Sequence, residues 1–249
     1  MRISRLFSAA VLACTVALPV HALDLQNMTA EERTIFRQEV RAYLMEQPQV
    51  IMDAVNQLEA RQQQDAAQAD LTLVSDNAEA LFNDGYSFVS GNPDGDITLV
   101  EFLDYRCGYC RKAHTEVAKM LETDGNIRLI VKEFPILGEQ SVLASRFAMA
   151  VKQIAGDETY KAVNDALMTL PGELSMPTLA RLGKTYGLDM ALVEDAMNGP
   201  EIADQLAQTK ALAQRMRITG TPTFVLQDQM LRGYLPYDQM MLIVNDKRS

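Results

Sequence analysis

Glu101-Phe102-Leu103-Asp104-Tyr105-Arg106-Cys107-Gly108-Tyr109-Cys110-Arg111-Lys112 is the stretch on which the reading of this chain turns. The apolar run from Ile97 to Leu103 predicts a buried strand, and a helical pattern follows the second cysteine. A strand that delivers Cys-x-x-Cys to the start of a helix is a redox arrangement. The unpaired N–H groups and the dipole at a helix N-terminus favour a thiolate there. Cys107 is therefore placed to be nucleophile and leaving group, and Cys110, one turn in, to be the shielded resolving thiol. Gly108 and Tyr109 set the backbone geometry and local dipoles between them.

Two charged residues flank this motif. Glu101 interrupts the apolar strand six residues before Cys107. A carboxyl buried there has a raised pKa and can relay a proton to or from Cys110. Lys132, near the end of the next strand, is its expected partner, and a purely structural ion pair between the two is the competing reading.

Around the motif the pattern is α/β. Strands are expected over 86–89 and 96–104, a helix over 107–121 and a strand over 127–131. Strand, helix and strand of these lengths make a parallel βαβ unit. Residues 139–217 carry helical periodicity punctuated by Gly156, Pro171-Gly172, Gly187 and Gly199-Pro200, and read as a helical insertion. Strands return at 223–226 and 230–233, and a last helix opens at Pro236. Residues 86–249 thus form one domain, β-β-α-β, insert, β-β-α.

Residues 23–85 read as a helical extension. Thr29-Ala30-Glu31-Glu32 is a capping box, and Ile35, Phe36, Val40, Tyr43 and Leu44 share one helical face. Val50, Ile51, Ala54, Val55 and Leu58 continue the stripe, and no Gly or Pro occurs from Gln49 to Asp84. This stripe packs either on its own domain or on another copy of itself. The second choice makes a dimer or trimer through 23–85.

The first 22 residues have the form of a secretory signal. Arg2 and Arg5 precede an apolar stretch over 6–20, and cleavage is expected after Ala22. The apolar stretch is short for a membrane span. Removal takes away Cys14 and His21, leaving Cys107, Cys110 and His114 as the cysteines and histidine of the processed chain. A zinc site, a c-type haem or an iron–sulfur cluster needs more ligands, or a histidine directly after Cys110. No cofactor is expected. Cu(I) accepts two thiolates, so Cys107 and Cys110 leave copper binding open as an alternative. His114 is expected on the helix surface or against the insert. The formal charge of −10 argues against nucleic acid as a partner.

With Val100 to Cys110, Lys132-Glu133-Phe134-Pro135 and Gly220-Thr221-Pro222-Thr223-Phe224 quoted together, the chain resembles exported DsbA-like oxidoreductases of the thioredoxin superfamily. It is most similar to the ScsC-like branch, whose N-terminal helical extension is linked to oligomerisation and copper tolerance. The resemblance implies a thioredoxin fold and a periplasmic location. It also implies thiol:disulfide interchange of the isomerase or oxidoreductase kind on client proteins, with a separate redox partner protein. It further implies that Pro222 is cis and lies beside the dithiol, where the Thr221 backbone can pair with an extended client segment.

Overall fold

The computed structural model describes residues 25–249. The expected signal and its cleavage point after Ala22 lie outside the described residues. No helix among them is long and apolar enough to cross a membrane. The chain divides after Ala60 into two units.

In the first unit, α1 (Ala30–Glu46) starts with the expected capping box. Thr29 Oγ1 accepts from the Glu32 N–H at 3.2 Å, and a Glu32 carboxylate oxygen accepts from the Thr29 N–H at 2.8 Å. After Pro48 the chain enters α2 (Gln49–Asp76), which continues into the second unit. No residue of α1 is buried, and Ile35, Phe36, Tyr43, Ile51, Val55 and Leu58 are exposed.

The second unit is an α/β body of thioredoxin type. α3 (Ala78–Phe82) leads to β1 (Phe88–Gly91), β2 (Ile97–Leu103), α4 (Gly108–Asp124) and β3 (Ile127–Glu133). Four helices follow: α5 (Glu139–Thr169), broken at Gly156, α6 (Met176–Thr185), α7 (Met190–Asn198) and α8 (Pro200–Arg215). β4 (Thr223–Leu226), β5 (Gln229–Arg232) and α9 (Tyr237–Lys247) complete the chain. The sheet order is β1-β3-β2-β4-β5, with β2 and β3 parallel and every other pair antiparallel.

Two expected boundaries shift for local reasons. β1 begins at Phe88, not 86, because Asp84 Oδ1 accepts from the backbone N–H of Tyr86 and of Ser87 and holds them in a turn. α4 runs on to Asp124, where Gly125 ends it in the left-handed conformation at φ 68°.

Side chains alternate across the sheet. Ile97, Leu99, Leu103, Leu129, Val131, Phe224 and Leu226 face a core with α4, α5 and α9. Val100, Phe102, Ile130 and Val225 face a second core with Val74, Leu81, Leu212 and Met216. The second core corrects the expected boundary at 85. Val74 and Leu81 are buried in it, Asp70 binds Arg232 through two hydrogen bonds of 2.6 and 2.8 Å, and Asn77 accepts from Arg215 at 2.8 Å. Residues 61–84 therefore belong to the larger unit.

The same fact separates two truncations. Deleting residues through 60 is expected to leave the urea midpoint of the α/β body nearly unchanged. Deleting through 84 removes Asp84 and leaves Lys132, whose side chain is fully buried, without its partner. Breaking one side of a buried pair costs roughly 3–5 kcal/mol, which the urea midpoint of the second truncation will report.

Candidate active site

The β2–α4 junction presents the two thiols differently. Cys107 is the N-cap of α4, and its sulfur accepts from the Cys110 backbone N–H at 3.4 Å. When protonated, its thiol donates to the Thr221 carbonyl at 3.1 Å. The Thr221–Pro222 peptide is cis, and it brings the turn before β4 against the sulfur. Cys110 is fully buried one turn into the helix. Both cysteines are free thiols. Gly108 starts the helix, and the Tyr109 ring is exposed, 6.4 Å from the ring of Tyr234.

Electrostatics separate the pair further. The Cys110 thiol hydrogen-bonded to Cys107 pulls its pKa down to about 5, against burial and with help from the N–H groups of Tyr109 and Cys110. The converse holds for Cys110. Its bond to Cys107 and its burial push its pKa far above that of an ordinary thiol, and the charges of Cys107 and Glu101 add to this. At neutral pH the outer sulfur is a thiolate and the inner one a thiol that needs a base.

Glu101 stands on the α4 side of the sheet, 2% exposed. Burial raises its pKa to about 7, and the charges of Glu133 and Cys107 act in the same direction, with His114 opposing. Its Oε1 finds no hydrogen-bond partner among the described residues.

The expected Glu101–Lys132 pair does not form. In the parallel register Glu101 stands opposite Val131, and Lys132 opposite Phe102. The two side chains therefore leave opposite faces of the sheet. Lys132 Nζ donates to Asp84 Oδ2 at 2.6 Å and to the Ala80 carbonyl at 2.8 Å. Burial lowers the Lys132 pKa. Burial alone would raise that of Asp84, but Lys132 holds it below the usual carboxylate range.

The acidic neighbour on the Glu101 face is Glu133, which the sequence reading passed over. Its parity with Leu129 and Val131 was the available signal. Glu133 is satisfied by Tyr105 and Tyr160 at one oxygen, 2.7 and 2.6 Å, and by Ser145 at the other, 2.7 Å. Burial raises its pKa to about 7 despite these bonds. His114 lies against the insert, with Nε2 3.1 Å from Asp165 Oδ1.

Glu101 links stability to pH. Its folded pKa lies above its unfolded value of 4.5, so its contribution is most favourable below 4.5 and is lost as pH rises through about 7. That rise corresponds to about 3 kcal/mol. Glu101→Gln is therefore expected to gain stability over the unsubstituted protein as pH goes from 5 to 8, measured by urea denaturation at each pH. A difference that stays flat across this range would contradict the assignment.

Comparison with known proteins bears on the fold and the family. Residues 32–65 match the copper resistance protein ScsC N-terminal domain. A thioredoxin-like oxidoreductase from Silicibacter pomeroyi DSS-3 is 40% identical, covers 68% of this chain and 96% of its own, and superposes with a TM-score of 0.64. ScsC of Proteus mirabilis is 26% identical over 90% of this chain and 98% of its own, with a TM-score of 0.64. The curated Na(+)/H(+) antiporter NhaA 3 of Salinispora tropica is 26% identical over 60% of this chain, which spans only 22% of that protein's length. Residues 98–243 match the DSBA-like thioredoxin domain, and the chain belongs to that family.

Proposed function

We propose that this protein exchanges thiols and disulfides with client proteins in the periplasm. The observation that carries the reading is the asymmetry of the two thiols, Cys107 drawn to a pKa of about 5 and Cys110 pushed far up behind it. Cys107 attacks a client disulfide and forms a mixed disulfide, releasing one client thiolate. Cys110 then gives its proton to Glu101 and attacks the Cys107 sulfur. The bond to the client breaks and its electron pair leaves on the client's second sulfur. The protein ends as a disulfide and the client as a dithiol; the reverse sequence oxidises a client. Gly108 and Tyr109 shape the helix start, and the Thr221 backbone beside Pro222 receives the client as an extended strand. Lys132 acts as the buried anchor of Asp84 and takes no part in proton transfer.

The exposed apolar stripe of α1 and α2 supports self-association through the extension, as a dimer or trimer. Several dithiols then act on one client, which favours isomerisation. A redox partner protein resets the dithiol, and signal cleavage after Ala22 accompanies export.

Copper is the second reading, favoured by the match of residues 32–65 to a copper resistance protein domain. Among the described residues no group of three or more His, Cys, Asp or Glu is placed to hold a metal ion. Cu(I) would have Cys107 and Cys110 as its ligands. Titration of the reduced protein with Cu(I) against a competing chelator, run beside repair of a scrambled disulfide substrate, separates the readings. Efficient repair with weak copper binding favours exchange, and the opposite result favours copper.

Cys107→Ser is expected to abolish repair, and Cys110→Ser to accumulate the mixed disulfide, seen by mass spectrometry. Glu101→Gln should slow resolution about a hundredfold, in the range a positioned base contributes. For the assembly, light scattering should give a multiple of the monomer mass for the full chain and a monomer after deletion of residues 23–60. A monomeric full chain would overturn self-association.

A further inference from the structure

Glu101 borders a cavity of about 320 Å³ on the α4 side of the sheet. Its walls are apolar at Phe88, Val117, Leu121 and Leu129, and its polar groups include His114, Asn164, Asp165 and Lys161. A cavity holds water once it offers more than about 10–15 Å³ and a few polar partners, and this one exceeds both requirements. Glu101, whose Oε1 is buried and has no hydrogen-bond partner among the described residues, lines the same space.

We infer that the proton taken from Cys110 leaves the protein through this cavity, with the His114–Asp165 pair as its port to solvent. The inference rests on the exchange reading above. Collapse of the mixed disulfide is committed only when Glu101 passes the proton on, because a protonated Glu101 can return it to Cys110, and Glu101 is itself 2% exposed. The cavity offers the way out. The Asp165 carboxylate accepts from His114 Nε2–H at 3.1 Å, which fixes the ring and leaves Nδ1 to exchange the proton. The His114 side chain is 20% exposed and that of Asp165 43%, so the pair meets solvent while Cys110 is fully buried.

The charges around Glu101 come from three elements. Cys107 caps α4, Cys110, His114 and Glu122 lie on it, Glu133 lies on β3, and Lys161 and Asp165 lie on α5. Lys161 Nζ also binds Asp165, at 2.7 Å, so Asp165 stays ionised and keeps its hold on His114. The balance is simple. The S–H bond of Cys110 breaks, Glu101 takes the proton, cavity water carries it to His114, and His114 returns it to bulk water. No oxidant beyond the client disulfide is needed. His114 is a positioning residue that acts through Glu101.

The test uses the full chain and glutathione disulfide, following formation and collapse of the Cys107–glutathione mixed disulfide by rapid quench from pH 6 to 8. In His114→Gln and in Asp165→Asn the collapse should slow at least about tenfold, below the range of direct acid–base catalysis. Millimolar imidazole should restore the His114→Gln rate, which a merely structural defect would not allow. Glu101→Gln should be slow with or without imidazole. The port is overturned if both port variants collapse at the unsubstituted rate, or if imidazole fails to restore His114→Gln. If Glu101→Gln alone is slow, the exchange reading stands and the port falls. If the unsubstituted protein forms no mixed disulfide, both fall.

Discussion

The in-register parallel pairing of β2 with β3 is the constraint from which the rest of the site follows. Side chains alternate along a strand, so the register assigns each charge to a face. Glu101 and Glu133 fall on the α4 face, and Lys132 falls on the other. The α4 face therefore holds a buried carboxyl without Lys132 to neutralise it, under the influence of Cys107. A slip of one residue on β3 would bring Lys132 to Glu101 and lower the very pKa that suits a proton carrier. On the opposite face Lys132 must find its own anion. Asp84 supplies it, and that bond fastens the chain before β1 to the body of the fold.

Glu101 and Glu133 share a raised pKa near 7, yet the structure equips them for different work. Three hydroxyl groups donate to Glu133 and occupy three of its four lone-pair sites, which leaves it little room to carry a proton. Glu133 is thereby a fixed knot joining β3 to the long helix of the insert. Glu101 keeps an unpartnered oxygen, so taking up a proton breaks nothing. An orphaned buried oxygen costs about 1–3 kcal/mol. Such a loss is tolerated at reactive sites, where a strongly perturbed group is often the working one.

Much of this was legible in the chain. The Cys-x-x-Cys at a strand–helix junction, the βαβ unit, the capping box at Thr29 and the turn at Thr221-Pro222 all depend on residues close in sequence. The choice of partner for Lys132 was not legible. It depends on register, and Asp84 lies 48 residues away across β1 and β2. The apolar periodicity of 49–84 marked one helical segment without showing where its outer surface becomes a buried one. Val74 and Leu81 look like any other apolar residues of the stripe until β2, β4 and α8 are folded against them.

Asp165 was hidden for a related reason, and its position explains why the insert matters to the dithiol. α5 breaks at Gly156, in the left-handed region at φ 82°, where a residue with a Cβ is strained. The segment after the break carries Tyr160 and Asn164 on one stripe and Lys161 and Asp165 on the next, each pair at the four-residue spacing that aligns side chains on a helix. The first stripe reaches the Glu133 knot: Tyr160 donates to Glu133, and Asn164 donates to the Tyr105 hydroxyl at 3.0 Å. Once that stripe is seated, the second has no freedom left and must border the cavity above Glu101. One set of buried hydrogen bonds thus fixes the wall of the cavity, and with it the carboxylate that holds His114. On the exchange reading proposed above, the insert takes part in the chemistry, because the same helix that is tied to the sheet also encloses the buried acid.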